Sequence, residues 1–134
     1  MSSPPETKRA SKKMIWAGRI ISALPVLMLL TSGIVKMAKP ESVVTEFARL
    51  GYDDNIAFGL GIVEIVCTLV YAIPRTSVLG AILLTGYLGG ATATHVRIGD
   101  AIGQIAAPIV FGMVIWLGIY LRCARVRALI PFRS

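Results

Sequence analysis

The sequence is poor in charged residues, and above all in acidic ones. Only 16% of its 134 residues are charged and only seven are Asp or Glu, whereas 55% are hydrophobic. A chain of this size with a mean hydropathy of +0.73 is too apolar for a soluble domain, so an integral membrane protein is predicted. The formal charge of +7 accompanies apolar runs, which favours basic membrane flanks over a nucleic-acid-binding surface.

Cysteine and histidine are scarcer still, with two and one residues. Cys67 and Cys123 lie in different apolar runs, so a disulfide between them is not expected. With one histidine and no CxxC motif, no metal site is predicted. No Ser/His/Asp or Cys/His order indicates a nucleophile, and no P-loop or dinucleotide motif occurs. We therefore assign no catalytic residue; whether the chain is an enzyme stays open, and a protein that is not an enzyme on its own is favoured.

What the sequence does have is four long apolar stretches. They cover about residues 14–38, 55–73, 77–97 and 100–121, and each is near the ~20 residues that a helix needs to cross ~30 Å of hydrocarbon. Between the first two, Pro40 and Gly51 bracket a short amphipathic segment. The predicted fold class is all-α: a four-transmembrane-helix antiparallel bundle with a short interfacial helix between helices 1 and 2.

The ends of the chain are polar and basic. Residues 1–13 are predicted to be a disordered cytoplasmic arm, residues 14–122 the membrane domain, and residues 123–134 a solvated basic cytoplasmic tail. Ten of the 14 Lys and Arg residues fall on the side of the termini. Under the positive-inside rule both termini face the cytoplasm, and we expect the membrane to be a bacterial inner membrane.

Glu64 stands in the middle of the second apolar stretch. Helical spacing puts it on one stripe with Ala57, Gly61, Thr68 and Tyr71, opposite an apolar stripe that suits lipid. Glu64 is therefore predicted to point into the bundle. Four polar residues on the other helices are assigned to the same pocket, which opens to the extracytoplasmic side: Lys36, His95, Asp100 and Gln104. This set could bind a ligand or protons.

Each of these residues also has a purely structural interpretation. Glu64 could be a hydrogen-bonded strut, Lys36 could extend to the interface, and His95 could be an interface histidine. Asp100 could cap the fourth helix. Direct contact between Lys36 and Glu64 is not assumed, because they differ in predicted depth, and Tyr87 is interpreted as packing.

The third helix has a second, small-residue face formed by Gly86, Gly90 and Ala93. Such a stripe allows close approach of a neighbouring helix. Since His95 lies nearly opposite, both faces cannot be equally buried within one bundle. We favour His95 inward, which leaves Gly86, Gly90 and Ala93 as a helix-packing or partner face, for example in a homo-oligomer.

Three segments resemble the DoxX-like family of small membrane proteins. They are "RIISALPVLMLLTSGIVK", "LGIVEIVCTLVYAIPRTSVLGAILLTGYLGGATATHVR", and the proline and tryptophan of "APIVFGMVIWLGIYLR". The resemblance implies a four-helix membrane bundle. It also implies links of some members to quinone or thiol redox systems, and of animal relatives to receptor assembly. The matching polar positions are Lys36, Glu64, Arg75 and His95.

Three functions follow from these features. The favoured one is a non-catalytic binding or assembly subunit with a polar intramembrane pocket for a lipophilic ligand or a partner helix. The first alternative is a membrane subunit of a quinone- or thiol-linked redox system, and the second is a small proton-coupled transporter. The cofactor or ligand expected is a quinone or a lipid. The expected partners are the bilayer, a second copy or a membrane redox protein, and no nucleic acid.

Overall fold

The computed structural model describes residues 12–129, which are almost entirely helical and contain no strand. Most of the predicted N-terminal arm, and residues 130–134 of the predicted tail, lie outside this range. The described helices are α1 (Lys12–Ala38), α2 (Glu41–Leu50), α3 (Asp54–Ala72), α4 (Ser77–Arg97), α5 (Ile102–Arg122) and α6 (Ala124–Leu129), with a 3₁₀ turn at Pro74–Thr76 between α3 and α4.

Four of these helices, α1, α3, α4 and α5, are long and apolar enough to cross a membrane. The all-α bundle with a short helix between its first two spans is therefore confirmed. The long helices are arranged as a ring in which α1 packs on α3 and α5, and α4 packs on the same two helices. Neighbours in this ring run antiparallel because they alternate in chain direction.

The inward face of α3 is the one that helical spacing predicts. Its buried residues are Ala57, Gly61, Glu64, Cys67, Thr68 and Tyr71. The predicted lipid stripe is exposed, as expected for side chains that contact hydrocarbon: Ile62, Val66, Leu69 and Ile73. The hydrophobic pattern alone thus orients this helix.

Close helix contacts occur at glycines. A Cβ on Gly61 would lie 2.7 Å from the carbonyl oxygen of Gly33, so α1 and α3 touch through their backbones at this point. A Cβ on Gly80 would lie 2.2 Å from the backbone nitrogen of Tyr71, which fixes the tight α3–α4 hairpin. Small residues let helices approach closely where packing, rather than hydrophobicity, drives association.

The start of α5 differs from the prediction. The helix begins at Ile102 with Ala101 as its N-cap residue, so Asp100 lies in the α4–α5 turn and its side chain does not cap the helix. Gly99 adopts a positive φ of 72°, and its N–H bonds the carbonyl of Val96. Reversing the chain after α4 therefore uses residues 98–101, which the sequence analysis had partly placed in the helix.

The short helices cover the two ends of the bundle. In α2, Phe47 and Leu50 are buried, and Gly51 ends the helix in the left-handed conformation (φ 85°). At the other end, residues 124–129 form α6, in which Val126 is buried. Arg127 also donates hydrogen bonds to the carbonyls of Tyr120 and Leu121, which would otherwise lack helical partners.

Candidate functional site

Lys36 and Glu64 form a salt bridge inside the bundle. The Lys36 Nζ lies 2.7 Å from Glu64 Oε2, and the side chains are 21% and 2% exposed. Gly33 and Gly61 explain this contact, because each lies one helical turn before one partner and together they bring α1 against α3. The interpretation of Lys36 as a residue extending to the interface is therefore wrong, and the contact that the sequence analysis did not assume is present.

Tyr87 on α4 completes the cluster. Its hydroxyl accepts from Lys36 Nζ at 2.8 Å and donates to Glu64 Oε2 at 3.2 Å. Ser32 Oγ donates to the same carboxylate oxygen at a longer 3.4 Å. Packing is therefore an incomplete description of Tyr87. Its position two turns before His95, with Ala91 between them, is the sequence signal that could have placed it on the polar face.

The cluster keeps unused hydrogen-bonding capacity. Lys36 has three N–H groups and uses two, on Glu64 and Tyr87. All three bonds to Glu64 reach Oε2, and no side chain or backbone group among residues 12–129 bonds Oε1. One donor and one acceptor thus stay available at a site where unmade hydrogen bonds are costly.

Lys36 and Glu64 both line a cavity of about 380 Å³ between the four long helices, here called the central cavity. Four of the five residues assigned to a pocket from the sequence line it: Lys36, Glu64, His95 and Gln104. Its other walls are mostly apolar: Met28, Leu29, Ser32, Tyr87, Leu88, Ala91, Ala107, Pro108 and Phe111. Asp100 does not line it.

A second cavity, here called the lateral cavity, lies beneath α2 and has a volume of about 410 Å³. It shares Lys36, Tyr87, Ala91 and His95 with the central cavity, so these residues form a partition between the two. The remaining lining residues come from α2 and its C-terminal turn, from α3 and from α4: Glu46, Phe47, Leu50, Tyr52, Leu60, Gly86, Gly90 and Thr94.

The small-residue face of α4 has no helix against it. Neither Gly86 nor Gly90 has any heavy atom of residues 12–129 within 4 Å of an added Cβ, apart from their immediate neighbours and their own helix backbone. Ala93 is exposed. Two of the three residues assigned to a partner face thus border the lateral cavity, while His95 points to the interior.

Asp100 belongs to a separate ionic cluster at the end of the bundle that holds α2. It accepts from Arg49 Nη1 at 2.7 Å and lies 2.5 Å from His95 Nδ1. Hydrogen bonds from Arg49 and then His95 hold the pKa of Asp100 at about 2, below its ordinary value of 3.8. Arg49 also bonds Glu46, which lowers the pKa of that carboxyl. The cluster therefore ties α2 to the α4–α5 turn.

A comparison with protein families places these residues in a known domain. The model of the DoxX-like family matches residues 20–118, most of the chain. The chain belongs to the DoxX-like family. No curated protein and no solved structure gives a significant match. In this DoxX-like protein, the matched range contains the whole Lys36–Glu64–Tyr87 cluster and both cavities.

Proposed function

We propose that this DoxX-like protein is a non-catalytic membrane subunit that binds a lipophilic ligand with a polar head group in its central cavity. The observation that carries this proposal is the Lys36–Glu64–Tyr87 cluster at one side of a mostly apolar cavity. Ligand sites are typically apolar concavities with a few well-placed polar groups, and about 300–1,000 Å³ is their usual volume.

The free groups of the cluster define the head group. The unused N–H of Lys36 suits a carbonyl or other hydrogen-bond acceptor, and the free Oε1 of Glu64 suits a hydroxyl donor. Gln104 adds an amide that can both donate and accept on the α5 side. A quinone in its oxidised and reduced forms, or a lipid carrying a carbonyl and a hydroxyl, matches this set.

The test is native mass spectrometry of the protein purified with its native lipids. We expect wild type to retain a quinone or a specific lipid and Glu64→Gln to lose it. Thr68→Val is the matched control, since Thr68 is buried one turn away on α3 but lines neither cavity. Retention by Glu64→Gln, or equal loss from both variants, would contradict a ligand site at Glu64.

A membrane subunit of a quinone-linked redox system is a second candidate function. It is favoured by Tyr87, whose hydroxyl joins Lys36 to Glu64 and gives a short path for protons beside the proposed head group. This candidate predicts a copurifying redox enzyme whose quinone reduction falls in Glu64→Gln membranes. Unchanged quinone reduction would contradict it while leaving ligand binding intact.

The orientation proposed for this subunit has both termini in the cytoplasm of a cell with an inner membrane. Seven basic residues of the described chain lie at the end of the bundle that holds the termini: Lys12, Lys13, Arg19, Arg75, Arg122, Arg125 and Arg127. The central cavity and the cluster around Asp100 then lie toward the opposite, extracytoplasmic side.

A further inference from the structure

The roof of the lateral cavity is α2, which is held by two kinds of contact. Its own residues Phe47 and Leu50 are buried and line the cavity. Its polar face carries Arg49, whose guanidinium reaches Asp100 with two hydrogen bonds of 2.7 and 3.2 Å. On the side of the cavity α2 thus presents two apolar side chains and Glu46, and an ion pair holds it to the α4–α5 turn.

Polar contacts hold α2 and its C-terminal turn to the end of α4 and to the turn after it. Besides the Arg49–Asp100 pair, Arg97 donates to the carbonyl of Leu50, and the hydroxyls of Tyr52 and Thr94 are 3.1 Å apart. Ion pairs and hydrogen bonds near water exchange readily with solvent, so such contacts open at lower cost than a packed apolar core.

On α4, two glycines leave open space at the wall of the lateral cavity. Side chains at positions 86 and 90 would project into unoccupied space, and these residues face the lateral cavity. The open space at these two glycines leaves room for a hydrocarbon chain beside α2. At its inner end this space meets Lys36 and Tyr87, which also border the central cavity.

We propose that α2 is the lid of the lateral cavity, that the Arg49–Asp100 pair is its latch, and that an amphiphile with a carbonyl-bearing head enters beneath it. The hydrocarbon chain lies along Gly86 and Gly90 in the lateral cavity, and the head reaches Lys36, which borders the central cavity as well. The identity of the amphiphile rests on the proposed function, whereas the lid and latch rest on the geometry of α2.

His95 links the latch to the ligand space. Its Nδ1 bonds Asp100 at 2.5 Å, and its ring forms part of the partition between the two cavities. Release of Asp100 from Arg49 removes one of the contacts that hold the lid, while the imidazole can still contact the same carboxylate. A head group that engages His95 would act on the latch from inside.

The lid is tested by labelling a cysteine inside the lateral cavity with N-(1-pyrenyl)maleimide, a bulky apolar thiol reagent that needs no ligand. Cys67 and Cys123 are first replaced by alanine and serine. Gly90→Cys then reports on the lateral cavity, and Gly89→Cys, which lines a different groove between α4 and α5, is the matched control. Both positions have open space for a side chain.

We expect Asp100→Asn to raise the labelling rate of Gly90→Cys about five- to tenfold, because losing the ion pair weakens a local closure at the surface. Arg49→Gln should have the same effect. Glu41→Gln, an exposed change on the same helix, should have none. An unchanged rate at Gly90→Cys in both latch variants, or an equal rise at Gly89→Cys, would overturn the lid.

The outcome for the lid is separable from that for the ligand. If the latch variants open the lateral cavity but no lipophilic compound survives native mass spectrometry of wild type, the proposed function fails and the lid stands. Wild type could instead retain a compound that Glu64→Gln loses while the labelling rate of Gly90→Cys is unchanged in the latch variants. The compound then enters elsewhere and the lid is wrong.

Discussion

At the scale of single residues, the Lys36–Glu64 pair is asymmetric. The carboxylate is almost completely buried, whereas Lys36 keeps access to two cavities. Removing the cation leaves a buried charge without a partner, which costs more than removing both charges together. Replacing Lys36 alone therefore measures the cost of an unpaired buried carboxylate, whereas replacing both residues measures the net contribution of the ion pair.

We expect Lys36→Met to lower the free energy of unfolding by about 3 kcal/mol, toward the lower end for buried pairs because Lys36 is partly exposed. The double variant Lys36→Met/Glu64→Gln should be more stable than Lys36→Met alone. Unfolding in mixed micelles measures both. Additive losses in the double variant would show that the two side chains are not coupled.

The low pKa of Asp100 leads to a second prediction, which concerns the dependence of stability on pH. Its pKa is about 2 in the folded protein, below the ordinary 3.8, so its bonds to Arg49 and His95 stabilise the protein fully above about pH 4. This contribution is lost as the pH falls from about 4 to 2. The difference in melting temperature between wild type and Asp100→Asn should be nearly constant from about pH 7 to pH 4 and should decrease progressively between about pH 4 and pH 2. A difference that disappears already at pH 5 would contradict this.

At the scale of helices, the hydrophobic pattern predicted the spans and the buried face of α3, since both depend on residues close in sequence. It could not identify which glycines lie at helix contacts. Gly86 and Gly90 form a visible small-residue stripe and face open space, whereas Gly33 and Gly61 make the contact that joins Lys36 to Glu64. Which glycines lie at a contact depends on the rotation and height of one helix relative to its neighbour, and the sequence of a single helix does not determine these.

Two alanine substitutions on α3 test that contact. Gly61→Ala would place a Cβ 2.7 Å from the Gly33 carbonyl oxygen, and we expect a loss of about 1–3 kcal/mol from overpacking. Gly59→Ala on the same helix meets open space and should be neutral or stabilising by up to about 1 kcal/mol. Thermal unfolding in one detergent compares them, and equal stabilities would refute the α1–α3 contact.

The site itself was predictable only in part. Lys36, Glu64, His95 and Gln104 reach one cavity because each lies on a polar stripe of its own helix. Tyr87 was interpreted as packing because an aromatic residue on a membrane helix is ambiguous until its hydroxyl finds a partner. Asp100 was assigned to the pocket because the fourth helix was predicted to begin at residue 100, whereas α5 begins at Ile102 and Asp100 lies in the turn before it.

At the scale of the whole molecule, the proposed orientation in the membrane rests on the uneven distribution of basic residues between the two ends of the bundle. If the termini are cytoplasmic, α2 and its latch face the opposite side, and an amphiphile reaches the lateral cavity from the outer leaflet or the periplasm. If the chain were inverted, the same lid would open to the cytoplasm. Topology would thus decide from which side of the membrane the proposed ligand enters.

Single cysteines at the two ends distinguish these orientations. With Cys67 and Cys123 replaced, we place Ser42→Cys on the exposed side of α2 and Ala124→Cys on the exposed side of α6. A membrane-impermeant sulfonated maleimide should label Ser42→Cys in intact cells and Ala124→Cys only after permeabilisation. This follows because the seven basic side chains that residues 12–129 carry at the end of the bundle with the termini would otherwise have to face outward, against the positive-inside rule. The reverse pattern would invert the bundle, and labelling of both sites in intact cells would indicate two orientations.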